Sequence, residues 1–194
     1  LCLILTVTGL SAQKRLFNPS FTRGGVQYSL AVIPLRSDNE LRSDSAASAI
    51  FVAAFDPNVI LSTHDIRWAL YKDQLANSYA SRVMGAVYAN DELNSFPSMS
   101  DILTEYEQSH LWETIGSPDF ALFPAKCTYH GSQLKDQYYC QISFEVRLYH
   151  METMEMVMVW RDDVGAAGKT ADEAAANAEV KLLKDLSAYL VARL

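Results

Sequence analysis

Between residues 141 and 148 every second residue is apolar, from Ile142 to Leu148, and the residues between them are polar. A period of two predicts a β-strand with one buried face and one face in water. Apolar-rich runs lie at 120–129, 138–149 and 155–160. Residues 120–160 therefore predict three consecutive strands.

The polar segment HGSQLKDQ separates the first two of these runs. We expect the runs to pair as an antiparallel hairpin around a four-residue turn at 132–135. This register places Cys127 opposite Cys140, and Cβ atoms of opposed residues lie ~4.5–5.5 Å apart. A disulfide needs Cβ atoms ~3.5–4.5 Å apart, so a small adjustment would let the two cysteines bond. The sequence predicts a Cys127–Cys140 disulfide, and two buried thiols or half of a metal site are the alternatives.

Helical spacing of apolar residues predicts a helix at 63–87, with Thr63 as its N-cap and Asp65 in its first turn. A second helix is predicted from Ser98 or Ser100 to about His110. The side chains expected to face the core are Trp68, Tyr71, Leu75, Tyr79, Arg82 and Ala86 on the first helix, and Ile102, Leu103 and Tyr106 on the second.

An alanine-rich segment at the end of the chain predicts a long C-terminal helix. Thr170 and Glu173 have the spacing of a capping box at its start. Its expected buried stripe consists of Ala175, Ala178, Leu182, Leu186 and Tyr189, widened by Leu183 and Leu190.

The first half of the chain has weaker patterns. Residues 13–25 suggest an irregular arm, 26–35 a strand closed by Pro34, 46–55 a short helix and 59–61 a short strand. We expect residues 26–194 to form a single α/β (α+β) domain. Its mixed, largely antiparallel sheet carries packed helices and ends in a β-hairpin plus a long helix.

The first twelve residues, LCLILTVTGLSA, are uncharged and almost wholly apolar, and the chain turns polar at Gln13. They are too few to cross a bilayer as a helix, which takes ~20 residues. They match the apolar core of a secretory signal, with Ser11 and Ala12 before a cleavage site. Residues 1–12 therefore predict a signal-peptide remnant, and a buried first strand or an N-terminal helix is the alternative. Export would also favour the disulfide.

The chain is acidic, with a net charge of -7 and a pI near 5.0. Nucleic-acid binding needs clustered Lys and Arg side chains, and the sequence has no such cluster. We therefore expect no nucleic-acid partner.

The segment GAAGKT at 165–170 is similar to a phosphate-binding loop, because it follows a strand and precedes a helix. Such a loop has four residues between its first glycine and the Gly-Lys pair, whereas two residues separate Gly165 from Gly168. Asp163, at the position of the first glycine, would repel phosphate. We interpret the segment as a strand-to-helix turn, with a nucleotide-dependent enzyme using Lys169 and Thr170 as the alternative.

Other chemical motifs are weak. The four histidines lack the spacing of a zinc site on one helix, and there is no Gly-x-Ser-x-Gly nucleophile motif. Met156 and Met158 alternate with Trp160 on one face of a predicted strand, which favours core packing over a soft-metal site. The sequence predicts no enzyme, no catalytic residue, no metal and no cofactor.

Two segments support a family resemblance. SPDF at 117–120 and METMEMVMVW at 151–160 resemble a strand start and a strand end in the CsgG-like envelope lipoproteins, a group that includes LpoB-type and PelC-like proteins. The resemblance covers roughly residues 26–194. It implies a periplasmic module that binds envelope partners or assembles into rings. The long amphipathic hairpins of a membrane pore are not evident, and no catalytic residue transfers.

We therefore expect a non-enzymatic, exported cell-envelope protein that acts in assembly, secretion or transport, through protein–protein interaction or ring assembly. The expected location is the periplasm or the outer membrane, with peripheral association in the second case. Tyr28, Tyr88 and Trp112 are candidate partner-binding residues, although core packing explains them equally well. The alternative function is an auxiliary domain of a transporter that binds a lipid or small molecule.

Overall fold

The computed structural model describes residues 14–19, 21, 28–33, 60–61, 63–89 and 98–194. Its centre is a six-stranded sheet with the strand order β1-β6-β5-β4-β2-β3. Strand β2 is parallel to β3 and β4, and the other neighbours are antiparallel. The strands are β1 (Lys14–Phe17), β2 (Leu30–Val32), β3 (Ile60–Leu61), β4 (Phe120–Leu134), β5 (Gln137–His150) and β6 (Glu155–Gly168).

Helices cover both faces of this sheet. The described helices are α1 (Thr63–Lys72), α2 (Gln74–Ala89), α3 (Glu105–Thr114) and α4 (Ala171–Val191), with a 3-10 turn at Met99–Asp101 before α3. The predicted fold class, a mixed and largely antiparallel sheet with packed helices and a long C-terminal helix, is confirmed. The helix predicted at 46–55 lies outside the described residues.

The sheet separates two apolar cores. Alternate residues of β5, such as Phe144 and Val146, pack with Trp160 against α4. On the opposite face Phe123, Tyr149 and Val159 pack against α1, α2 and α3. The buried stripe predicted for α4 is confirmed from Ala175 to Leu190, with Tyr189 half-buried at its margin.

Because both faces are covered, the predicted wet face of β5 is wrong at two positions. Glu145 and Arg147 are buried on the side of α1–α3. Glu145 forms ion pairs with both Arg147 and Arg161, which compensates part of the cost of removing these charges from water.

The hairpin register also differs from the prediction. The β4–β5 turn lies at Lys135 and Asp136, so β4 runs five residues further than residue 129. Lys135 has a positive φ of 54°, as tight hairpin turns require. Cys127 consequently pairs with Phe144, and Cys140 pairs with Gly131. The two cysteines are offset by four positions, about 13 Å along the strand, so the predicted disulfide has no geometric basis in this register.

Residues 13–25 are not wholly irregular, because β1 pairs with β6 from Met158 to Arg161. Strand β6 is longer than predicted and continues to Gly168. An irregularity opposite Leu148 and Tyr149 shifts its phase. Met156 consequently joins the core on the α1–α3 side, whereas Met158 packs with Trp160 on the other. The predicted common face is wrong, and the predicted core role of these methionines is confirmed.

Candidate functional site

Four large apolar side chains are exposed on helices α1, α2 and α3. The exposed fractions are 52% for Trp68, 66% for Tyr71, 57% for Leu75 and 70% for Tyr106. We call this set the aromatic surface. The prediction that these four side chains face the core is wrong.

A break between α1 and α2 explains the error at Trp68, Tyr71 and Leu75. The predicted single helix is interrupted at Asp73, whose carboxylate accepts the backbone N–H groups of Leu75 and Ala76 at 3.1 and 3.0 Å. This side chain caps α2 and stabilises its start. The residues that face the core are Ile66, Leu70, Ala76, Tyr79, Ala80 and Val83. This alternative stripe was readable in the sequence, but the larger aromatic side chains suggested the wrong one.

The rings on α1 are ordered by contacts with each other. Trp68 and Tyr71 stack with centroids 5.5 Å apart and an interplanar angle of 11°. The Lys72 ammonium lies 4.8 Å from the centroid of the Trp68 ring. A cation at this distance is attracted by the ring quadrupole. The surface therefore already binds one cation from its own chain.

His110 on α3 contacts both Tyr106 and the junction between α1 and α2. Its Nε2 atom lies 2.6 Å from the Asp73 carboxylate, and its ring makes edge contacts with Tyr79 and Tyr106 at 5.8 and 5.9 Å. The backbone bond from Ala76, followed by the bond with His110, lowers the pKa of Asp73 below its ordinary value. Asp73 therefore holds both the start of α2 and the position of α3.

Helix α3 is also fixed at its N-terminus. Thr104 and Glu107 form a reciprocal capping box, and Arg82 on α2 binds the Glu107 carboxylate and donates to the Ile102 carbonyl at 2.7 Å. The bond from the Thr104 backbone, followed by that from Arg82, lowers the pKa of Glu107. These contacts hold the helix that carries Tyr106 against α2, so the exposed ring projects from a fixed backbone.

The predicted partner residues do not form one surface. Tyr28 is half-buried, packs on the α4-side core and contacts the Phe120 ring edge-on at 5.5 Å. Trp112 is half-buried on the opposite side, where its indole N–H donates to the Pro118 carbonyl at 2.9 Å. Tyr88 belongs to α2, and its side chain lies outside the described part of the molecule.

The segment GAAGKT does not form a phosphate-binding loop. Residues Gly165 to Gly168 pair with β5, so most of the segment is strand. Thr170 caps α4 as predicted, because its hydroxyl accepts the Glu173 backbone N–H at 3.1 Å. The Glu173 carboxylate accepts the backbone N–H of Lys169 instead of that of Thr170, so the reciprocal bond of the predicted capping box is not formed. A Cβ at Gly168 would lie 2.4 Å from the backbone nitrogen of Ala174. The close strand–helix junction therefore accounts for this glycine.

Two polar side chains, Arg147 and Tyr149, are buried on the α1–α3 side of β5. Burial lowers the pKa of Arg147 and raises that of Tyr149 to about 12. The Arg147 Nη1 atom and the Tyr149 hydroxyl have no hydrogen-bond partner among the residues that the structure describes. Both atoms are inaccessible to solvent, and we assign this group a structural role.

A candidate metal site and a membrane-spanning helix are both absent from the described ranges. No group of three or more His, Cys, Asp or Glu side chains is arranged to hold a metal ion within them. No helix in these ranges is both long and apolar enough to cross a membrane.

No family model and no curated protein sequence match the chain. A solved structure of a hypothetical protein from Chlamydia trachomatis is similar, with a TM-score of 0.44 and 10% identity. The similarity covers 86% of this chain and 96% of that one.

Proposed function

We propose that this chain is a non-enzymatic, exported protein of the cell envelope that acts in assembly, secretion or transport by binding another protein or further copies of itself. The observation that carries the proposal is the aromatic surface, with Trp68, Tyr71 and Tyr106 each more than half exposed. Trp68 and Tyr71 stack on each other, and exposed apolar groups in mutual contact mark interaction sites in folded proteins.

The composition of the surface favours a protein partner. Trp and Tyr are enriched among the side chains that dominate binding energy, because they bury large areas and lose little conformational entropy. Here the supporting helices are held by Asp73 and by the Arg82–Glu107 pair. A surface that is ordered before binding loses less entropy when the complex forms.

The proposed location is the periplasm or the outer membrane. It is supported by the apolar segment at 1–12, which matches a secretory signal, and by the sequence resemblance to CsgG-like envelope proteins. Cell fractionation of the tagged full chain tests this location. Recovery of the whole pool with cytoplasmic markers would contradict it.

Site-specific photocrosslinking in cells tests the interaction. A photoreactive residue at Tyr71 is expected to give one discrete adduct, with an envelope protein or with a second copy. The matched control places the same residue at Tyr139, which is 39% exposed near the β4–β5 turn, at the opposite end of β5 from Tyr149. Equal adducts from both positions, or none from Tyr71, would contradict the proposed binding role. Light scattering of the purified chain then separates self-association from a heterologous partner.

A further inference from the structure

The aromatic surface is bordered by carboxylates. Helix α3 contains three glutamates and no lysine or arginine. The Glu107 carboxylate is already bonded within the protein, because it accepts from Arg82 and from the Thr104 backbone N–H. Glu105 and Glu113 are exposed, and no ion pair to either is found among the described residues. Two carboxylates beside the surface therefore have capacity for an external cation.

Helical geometry places one of these carboxylates in line with the exposed ring. Tyr106, His110 and Glu113 are separated by four and three residues, so they follow one stripe of α3. Tyr106 and Glu113 are about 10 Å apart along the helix axis. An extended peptide covers this distance in about three residues. Cationic side chains of such a peptide would meet the ring and the carboxylate in succession.

The balance of charge is negative. Lys72 is the exposed cation of the α1 part and is occupied by the Trp68 ring. Glu105 and Glu113 are exposed and oppose it. Arg82 is neutralised by Glu107, and Asp73 is bonded to His110. Arg67, the other cation of α1 beside Trp68, is half-buried. The whole chain carries a net charge of -7. This charge disfavours a second acidic copy and an anionic lipid surface as occupants.

We propose that the aromatic surface binds an extended, cationic segment of a partner protein, whose Lys or Arg side chains stack on the Tyr71 and Tyr106 rings and pair with Glu105 and Glu113. The stacking of Lys72 on Trp68 shows the same chemistry within the chain. The inference rests on the proposed binding function and names the chemistry of the partner.

Binding of a labelled peptide to the full chain, followed by fluorescence anisotropy, tests this inference. The probe is a short peptide of alternating arginine and proline, and its counterpart has glutamate in place of arginine. Only the arginine peptide is expected to bind, and salt should weaken its affinity. The substitutions Tyr106→Leu and Glu113→Gln should each weaken binding about 2–5-fold, as expected for an exposed cation–π contact or ion pair.

Tyr139→Leu is the matched control, because Tyr139 is an exposed aromatic residue near the β4–β5 turn. An equal loss of affinity in this variant would overturn the inference, and so would equal binding of the glutamate peptide. Stronger binding to anionic lipid vesicles than to the arginine peptide would replace the inferred partner with a membrane. None of these results depends on the Tyr71 crosslink, so failure of the cationic preference is distinguishable from failure of the proposed binding function.

Discussion

The Tyr149 side chain lies in the core between the sheet and helices α1–α3. Its ring packs edge-on against Phe123 at 5.6 Å, and its hydroxyl has no hydrogen-bond partner among the described residues. Burying a hydroxyl without a partner costs free energy, whereas the ring contributes apolar burial. The ring therefore stabilises the fold and the hydroxyl opposes it.

We expect Tyr149→Phe to leave the free energy of unfolding unchanged or to raise it by about 1 kcal/mol, because it removes the buried polar atom and keeps the ring. Burial raises the pKa of Tyr149 from 10.0 to about 12, so the fold favours the neutral phenol. The contribution of the buried neutral phenol to the free energy of unfolding is fully present below pH 10, and it is lost as the pH rises from 10 to 12. Urea unfolding should therefore show a growing advantage of the variant across this interval. A loss above about 1 kcal/mol at neutral pH would contradict an unbonded hydroxyl.

Asp73 acts at the point where α1 ends and α2 begins. Asn caps helices as well as Asp, so Asp73→Asn retains the cap and removes the carboxylate that binds His110. The pKa of Asp73 is lowered in the fold, so its stabilising contribution exists above the ordinary value of 3.8 and disappears as the pH falls through the folded value. We expect the variant to lose about 0.5–1 kcal/mol at pH 7.

Urea unfolding of parent and variant at neutral and strongly acidic pH measures this effect. The two curves should differ at neutral pH and converge in acid. An equal difference in the free energy of unfolding at both pH values would show that the contribution of Asp73 to stability does not depend on its charge.

The hairpin of β4 and β5 is held in register by its turn at Lys135 and Asp136 and by the residues that face α4. Sequence periodicity defined both strands but not their offset, because a longer strand β4 preserves the same alternation. A shift of register moves every side chain relative to its neighbour. The cysteine pairing was therefore the part of the prediction most sensitive to this error.

A new cysteine tests the register directly. Gly131 lies opposite Cys140, and a Cβ at Gly131 meets no atom within 4 Å. In a chain that also carries Cys127→Ser, Gly131→Cys should form a disulfide with Cys140 on mild oxidation, detected by peptide mass spectrometry. The parent chain should give no Cys127–Cys140 crosslink under the same conditions. Formation of that crosslink in the parent would restore the shorter hairpin.

At the scale of the whole molecule, the described residues form two apolar cores that share one sheet. Trp160 reports on the core beneath α4, and Trp112 packs at the core beneath α1–α3. Because β4, β5 and β6 contribute to both cores, loss of packing on either side exposes one face of these shared strands to water. We therefore expect the two sides to unfold as one cooperative unit.

Two variants with a single tryptophan test this cooperativity. Trp68→Phe combined with Trp112→Phe leaves Trp160, and Trp68→Phe combined with Trp160→Phe leaves Trp112. In each variant the midpoints of urea unfolding by fluorescence and by far-UV circular dichroism should coincide. A fluorescence midpoint for Trp112 that precedes loss of secondary structure would show that α1–α3 detach first.

Local patterns in the sequence determined the long strands β4–β6, helix α4 and its Thr170 cap, because periodicity and capping depend on residues close together in the chain. The burial of Glu145 and Arg147 and the exposure of Trp68, Tyr71 and Tyr106 followed a different cause. Each depends on which side of an element is covered by a segment distant in the chain. Helices α1–α3 cover the face of β5 that periodicity assigned to water, and the break at Asp73 directs the aromatic residues away from the core. The candidate site therefore depends on the local break at Asp73, whose buried stripe the sequence contains, and on long-range packing, which local patterns do not specify.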